Sequence, residues 1–337
     1  MKKTTIFVII IDILIVFCFT LFYGPFKGFK NTIISTALNT KTHQYIAYTF
    51  YSEDMVNKVM QLNSYIPFEE EVDVDKIVID TNPKESYDNE YDEIILTRSD
   101  GNNDYKYIKI KVGSFDAHLV AIYDPSKVKL ITSKVFNTGT GAETIKKMCQ
   151  NSSGDVCING GGFADPDGWG SDIPRGYLIK DGKIIWSDGE IKSNIIGINK
   201  ENKLILTKST GQEALDMGIR DALEFGPFLI VNGKKIKFVD SAGGYSRAAR
   251  TAIAQRRDGV MLFLVTEGTH GRGPSMTEIA DVFEKYGAYN AANLDGGTSA
   301  QLVIKSKLIN TPISSLGEVV TNGRAVISGF GFVSKKE

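Results

Sequence analysis

The chain carries 39 basic and 40 acidic residues among its 337, a net charge of −1, and three cysteines. That length holds one large domain or two small ones, and a balanced charge with no basic stripe excludes nucleic acid as the partner. No internal repeat or long low-complexity tract occurs.

Met1-Lys2-Lys3 precedes an apolar stretch from Thr4 to Tyr23, about the ~20 residues needed to cross a bilayer. The lysines hold the N-terminus in the cytoplasm and send the remainder outward. No small-residue cleavage site follows, so residues 1–23 read as an uncleaved single-pass anchor, with a cleaved signal peptide as the alternative. Asp12 inside the span costs roughly 3 kcal/mol near the bilayer centre. Between Asn31 and Leu62, residues Met55, Val56, Val59, Met60 and Leu62 recur at helical spacing behind Ser52 as a cap. From Phe68 to Glu93 the chain turns acidic and loses its pattern. Residues 24–104 are therefore expected to form a juxtamembrane helical stalk and acidic linker, a helical hairpin lying on the membrane or on the domain being equally compatible, and residues 105–337 the folded domain.

From Tyr105 the sequence becomes β-rich. Tyr107 to Val112 alternates, His118 to Ile122 and Val128 to Ile131 follow, and each is bounded by turn residues. Glu143 to Gln150 predicts a helix and Val156-Cys157-Ile158 a strand, which breaks at Asn159-Gly160-Gly161-Gly162. Asn159 either caps that turn or faces a ligand. Lys180-Asp181-Gly182-Lys183 and Val231-Asn232-Gly233-Lys234 predict two tight hairpins. Cys149 and Cys157 form either a disulfide or a reduced buried pair, because spacing alone gives no geometry.

Arg250 to Gln255 joins the apolar run Gly259 to Val265 through the turn Arg257-Asp258-Gly259, so the two should pair antiparallel. Ser275 with Glu278 is a capping box, and Met276, Ile279, Ala280, Phe283 and Tyr286 share one helical face up to the stop at Gly287. Ala288 to Leu294 then runs extended into Asp295-Gly296-Gly297-Thr298-Ser299. Strand, helix, strand predicts a βαβ crossover onto a parallel strand, which sends Glu267 and Asp295 out of the same sheet edge. Arg250 opens the strand that faces them. The expected fold is α+β, a mixed β-sheet domain with this crossover near the C-terminus, behind an N-terminal transmembrane helix and helical stalk.

Asn159-Gly160-Gly161-Gly162-Phe163, Gly176-Tyr177-Leu178-Ile179 with Asp181-Gly182-Lys183, Phe225-Gly226-Pro227, Arg250-Thr251-Ala252-Ile253, Thr266-Glu267-Gly268 and Leu294-Asp295-Gly296-Gly297 occur in an order that resembles the phosphodiester glycosidase family. The resemblance covers roughly residues 110 to 335. It differs at two points, with Glu267 where the family often has Asp and Thr298 where it usually has a third Gly. Its members include enzymes that remove N-acetylglucosamine from a sugar phosphodiester and bacterial exopolysaccharide-associated proteins. The resemblance implies a hydrolase of sugar-1-phosphodiesters on a cell-surface glycan or glycoconjugate. It also moves Asn159 and Gly160 to the pocket rather than a plain turn.

The chemistry needs a carboxyl acid, a base or nucleophile, and cationic or N–H donors for the phosphate. Asp295 and Glu267 are the expected catalytic pair and Arg250 the phosphodiester ligand. Gly296, Gly297, Thr298 and Ser299 supply amides and hydroxyls, and Arg272, like His270, follows Glu267 in a glycine-flanked loop at the rim. The Asp295 loop lacks the lysine of a P-loop, a partner Asp-Thr/Ser-Gly loop and a Gly-x-Ser-x-Gly elbow, so nucleotide hydrolysis, aspartic proteolysis and serine hydrolysis fit poorly. His43, His118 and His270 are scattered with no zinc spacing, and no metal or cofactor is expected. The expected partners are a carbohydrate phosphodiester and the membrane. The alternative is a non-catalytic glycan-phosphate binding module with the same pocket.

Overall fold

The computed structural model describes residues 3–39, 44–62, 71–98, 101, 103–139, 141–164, 171–238, 247–269, 271–314 and 316–334. The chain divides into two compact units, Met1–Ser64 with Val239–Ser246, and Tyr65–Phe238 with Arg247–Glu337. The first is helical: α1 (Lys3–Tyr23), α2 (Lys27–Asn39), α3 (Gln44–Phe50) and α4 (Glu53–Leu62). Thr5–Tyr23 is long and apolar enough to cross a membrane, and its large apolar side chains from Ile6 to Phe19 face outward. Ile34, Ala37, Ala47, Tyr51, Val56 and Val59 form a small core, against which Phe22 packs from the end of α1. Ser52 Oγ accepts the Met55 N–H at 3.3 Å, capping α4.

The second unit holds α5 (Glu90–Leu96), β1 (Tyr105–Val112), β2 (Phe115–Ile122), β3 (Val128–Thr132), β4 (Glu143–Thr144), α6 (Ile145–Asn151) and β5 (Gly154–Asn159). Next come β6 (Tyr177–Lys180), β7 (Lys183–Ser187), β8 (Ser193–Asn199), β9 (Leu204–Ser209), α7 (Gly211–Asp216), β10 (Ile219–Glu224), β11 (Phe228–Val231) and β12 (Lys234–Lys235). The C-terminal third supplies β13 (Thr251–Arg256), β14 (Met261–Thr266), α8 (Met276–Lys285), β15 (Ala288–Leu294), β16 (Leu302–Ile304), β17 (Lys307–Leu308), β18 (Ala325–Val326) and β19 (Ser328–Val333). Among the described residues these form a seven-stranded sheet, β1-β2-β14-β13-β15-β11-β12, two five-stranded sheets, β7-β6-β10-β8-β9 and β17-β16-β5-β19-β3, and a two-stranded ribbon, β18-β4. This is the expected α+β class. The hairpin tips follow turn chemistry, with Asp181, Gly182, Asn232 and Gly233 all at positive φ.

The three sheets bury one common core. Val120, Ile253, Phe263, Val265 and Leu294 of the large sheet meet Leu178, Ile196 and Leu223 of the second and Leu130, Ile158 and Phe330 of the third. The other face of the large sheet is covered by α8 through Ile279, Ala280, Val282 and Phe283. That helix opens on the Ser275–Glu278 capping box and gives way to Gly287 at φ 73°, as its sequence dictates.

Strand β13 pairs antiparallel with β14 on one side and with β15 on the other, Thr251 lying opposite both Val265 and Leu294. So β14 and β15 point the same way with β13 between them. The tight Arg257-Asp258-Gly259 turn places β13 against β14 first, and the strand after α8 takes the next free edge. On the other side of β14 lies β2, antiparallel, with His118 opposite Val265.

Residues 71–98 belong to this second unit, so it extends N-terminal of the expected boundary at 105. Val78 and Asp80 donate backbone N–H groups to Arg257 and Asp258 carbonyls at 2.8 and 3.0 Å. Asp92 Oδ1 accepts from Arg256 Nη1 at 2.6 Å, both side chains being 9 % exposed. Cys149 of α6 and Cys157 of β5 form a disulfide.

Candidate active site

Four strand ends meet at one edge of the seven-stranded sheet. β13 begins there behind Arg250, β14 ends there before Glu267, β15 ends there before Asp295, and β2 begins there near His118. The predicted cation and both predicted carboxylates are thus brought to the same edge by register. Arg250 N–H donates to Thr266 Oγ1 and its carbonyl accepts the Thr266 N–H, each at 2.9 Å. Gly297 N–H donates to the Ala249 carbonyl at 2.7 Å, which ties the glycine loop to the start of β13. A Cβ on Gly296 would lie 2.6 Å from that carbonyl and 3.6 Å from Arg250 Cδ. Glycine at 296 is therefore what lets the loop lie against Arg250.

Asn159 and Gly160 sit under this loop, committed to protein. The Asn159 side chain is fully buried. Its amide donates to the Asp295 carbonyl at 2.6 Å, and its oxygen accepts from Thr251 Oγ1 at 2.6 Å and from the Gln301 N–H at 3.0 Å. Gly160 accepts the Asp295 N–H at 2.8 Å and donates to the Ser328 carbonyl at 2.9 Å. In place of direct ligand contacts, these two residues fix the backbone that carries Asp295. Glycine at 160 is required by packing, since a Cβ there would lie 2.3 Å from Leu223 Cδ2.

The loop itself closes as a short 3-10 turn over Gly297–Ser299. Its amides are largely spent in doing so: Gly296 N–H donates to Asp295 Oδ1 at 2.9 Å, and Ser299 N–H to the Gly296 carbonyl at 3.1 Å. Thr298 Oγ1 donates to the Ile313 carbonyl at 3.1 Å, and Ser299 is fully buried. The half-buried surface of the loop is Asp295, Gly296, Gly297 and Thr298. Arg272 is exposed in a tight turn beyond Glu267, its backbone paired with Thr269. His270 lies outside the described residues.

Glu267 is held from two sides. Both its oxygens accept from the Thr311 N–H at 3.1 Å, and Oε1 lies 3.1 Å from His118 Nε2. His118 Nδ1 in turn lies 2.9 Å from the Tyr107 hydroxyl. Segment 310–313 stitches the two halves of the site together. Asn310 bonds the Ala300 carbonyl and the Leu302 N–H, each at 2.8 Å, Thr311 holds Glu267, and Ile313 receives Thr298.

The sequence reading missed three contributors, His118, Tyr107 and Arg324. His118 and Tyr107 come from β2 and β1. Arg324 brings a second guanidinium to the loop, its Nη1 3.4 Å from Ser299 Oγ and its Cζ 5.1 Å from the Phe163 ring centre. Glu224, at the end of β10, has a carbonyl that accepts the Gly162 N–H at 3.4 Å. Burial pushes its carboxyl above the usual glutamate range, and the charge of Asp188 adds to that. A signal existed for His118: it shares the alternation of Val120 and Ile122, so it points to the core at a strand start.

The arrangement has known relatives. Over 203 residues, 56 % of this chain, it is 28 % identical to the SPbeta prophage-derived uncharacterized protein YomE of Bacillus subtilis (strain 168), and the match spans 30 % of that protein. Over 154 residues, 41 % of this chain, it is 26 % identical to the N-acetylglucosamine-1-phosphodiester alpha-N-acetylglucosaminidase of Mus musculus, again over 30 % of that protein. The chain thus spans about a third of the curated relatives it matches. Among solved structures, the catalytic domain of the zebrafish enzyme of that name, auto-inhibited by its pro-peptide, shares the fold with a TM-score of 0.57. That likeness covers 69 % of this chain and 83 % of the other at 19 % identity. The profile of the phosphodiester glycosidase family matches residues 153–333, more than half of the sequence and every strand that delivers Arg250, Glu267 and Asp295, and the chain belongs to that family.

Proposed function

We propose that the protein hydrolyses the sugar-1-phosphodiester bond of a cell-surface glycan or glycoconjugate, outside the cytoplasm and anchored by α1. The observation that carries this reading is the sheet edge where Glu267 and Asp295 follow strands flanking the one that Arg250 opens. Strands β14 and β15 are two sheet spacings apart, about 10 Å, compatible with the ~5–9.5 Å between paired glycosidase carboxyls. Arg250 takes the phosphodiester charge, with Arg324 as a second cation near the loop. The two carboxylates divide the proton transfer to the leaving phosphate and the attack at the anomeric carbon. An extracytoplasmic site is supported by the Cys149–Cys157 disulfide, since such bonds persist in oxidising compartments.

The test is turnover by the full chain in detergent on a panel of sugar-1-phosphodiesters, starting with that of N-acetylglucosamine, for which the Mus musculus relative is named. Release of free sugar that disappears in Asp295→Asn is the expected result. The rival reading, a binding module, predicts no turnover on any member and an affinity for glycan phosphate that still depends on Arg250. Orientation is tested separately: a cysteine introduced at residues 71–93 should react with an impermeant reagent on intact cells, and a failure to label would reverse it.

A further inference from the structure

His118 is the one histidine of the chain among the described residues, and it is buried at the working edge. Its side chain is 5 % exposed while that of Glu267 is 27 % exposed, so the ring backs the carboxylate from the protein side and leaves it open to solvent. A carboxylate can only accept, so Nε2 must carry the hydrogen in the 3.1 Å contact with Glu267 Oε1. In the neutral ring Nδ1 is then an acceptor, and the Tyr107 hydroxyl 2.9 Å away donates to it. Burial raises the Tyr107 phenol, with the Glu267 charge acting the same way, so it keeps its hydrogen. The two rings lie nearly parallel at 14° with centroids 6.0 Å apart.

We propose that Tyr107 and His118 are positioning residues for Glu267: Tyr107 selects the Nε2–H tautomer of His118, and that N–H, with the Thr311 amide, holds Glu267 as an acceptor facing the substrate. Glu267 is then the base or nucleophile of the pair, and the acid's part falls to Asp295. This rests on the reading of Glu267 as a working carboxylate. The strands explain the construction. Tyr107 and His118 lie on one face of the β1–β2 hairpin, and β2 lies directly against β14, which ends one residue before Glu267. The relay therefore crosses adjacent strands and needs no flexible segment.

The test combines kinetics with a spectrum. His118→Leu should lower kcat by at least about tenfold with little change in KM, and His118→Gln, which keeps an N–H donor near Nε2, should recover most of it. Tyr107→Phe should lower kcat several-fold in the wild-type chain and have no effect on His118→Gln, because glutamine has no tautomer to select. Histidine 15N resonances of the full chain in detergent, assigned by their loss in His118→Gln, should show the Nε2–H form in wild type and a shift toward mixed tautomers in Tyr107→Phe. Three results would each overturn the relay: His118→Gln folding like wild type but as slow as His118→Leu, an equal Tyr107→Phe effect in both backgrounds, or an Nδ1–H form in the wild-type spectrum. If the wild-type chain turns over no sugar phosphodiester, the functional reading falls, while the 15N spectrum still decides the relay.

Discussion

Asp295→Asn keeps the volume and removes both the charge and the capacity to transfer a proton. We expect turnover to fall at least a hundredfold, about 3 kcal/mol of barrier, with the unfolding midpoint nearly unchanged. The backbone of Asp295 is held through Asn159 and Gly160, and asparagine keeps the side-chain oxygen that accepts the Gly296 N–H. Steady-state kinetics beside a urea melt checks both halves, and a large stability loss would reassign Asp295 to structure. Arg250→Lys should raise KM more than it lowers kcat, since a point charge replaces a bidentate fork. Glu224 makes a pH-dependent contribution of defined sign. Its folded carboxyl titrates above the unfolded one, so the stability it gives is complete below the unfolded value and is lost as pH rises through the raised one. Asp221 is pushed the same way by burial. Glu224→Gln should reduce, without abolishing, the fall of the urea midpoint over that window, and an unchanged slope would count against the assignment.

At the scale of elements, what the sequence discloses is what lies close along the chain. The β13–β14 turn, the Ser275 capping box, the Gly287 stop and the Asp295 loop all lie within one stretch of local signals, so the edge where Arg250, Glu267 and Asp295 gather is legible without a structure. Distant pairings are not. His118 and Glu267 are 149 positions apart, and no periodicity says that β2 lies beside β14. Asn159 illustrates the other limit: a glycine-rich break after a strand looks the same whether its asparagine faces a ligand or sits beneath the loop, and only its three buried partners decide. The acidic stretch before β1 hides for a similar reason. Its weak pattern suggests a linker, yet its backbone runs along Arg257 and Asp258 and its Asp92 reaches Arg256. Asp92→Ala should cost about 3 kcal/mol by leaving a buried guanidinium short of a partner. Equilibrium unfolding checks it, and a loss below ~0.5 kcal/mol would show that Asp258 suffices.

For the whole molecule, the smallest chain expected to fold alone starts near Tyr65 and not at residue 105. A chain truncated to begin at Asn103 loses Ile77, Ile95 and Asp92, all buried. It should aggregate or melt well below one that begins at Tyr65, by size-exclusion chromatography and thermal unfolding. Equal behaviour would return residues 71–98 to the status of a linker. The Cys149–Cys157 bond closes a separation of eight residues, and in the chain-entropy account it contributes about 2–3 kcal/mol. The double replacement by serine should show that loss, and reductant should reproduce it in wild type.

The burial of Asn159 also bears on how the protein ages. Asparagine before glycine is prone to deamidation, because the following backbone nitrogen attacks the side-chain carbonyl carbon and expels ammonia through a cyclic imide. At Asn159 the side-chain amide is fully buried and pinned on three sides, out of reach of that attack. Asn322 before Gly323 is exposed in a turn. Peptide mapping after prolonged storage should therefore find isoaspartate at 322 in the native protein and at 159 only once the chain has been unfolded. A molecule damaged at 159 would refold with a carboxylate facing the Asp295 carbonyl, so its loss of activity would record past unfolding rather than elapsed time.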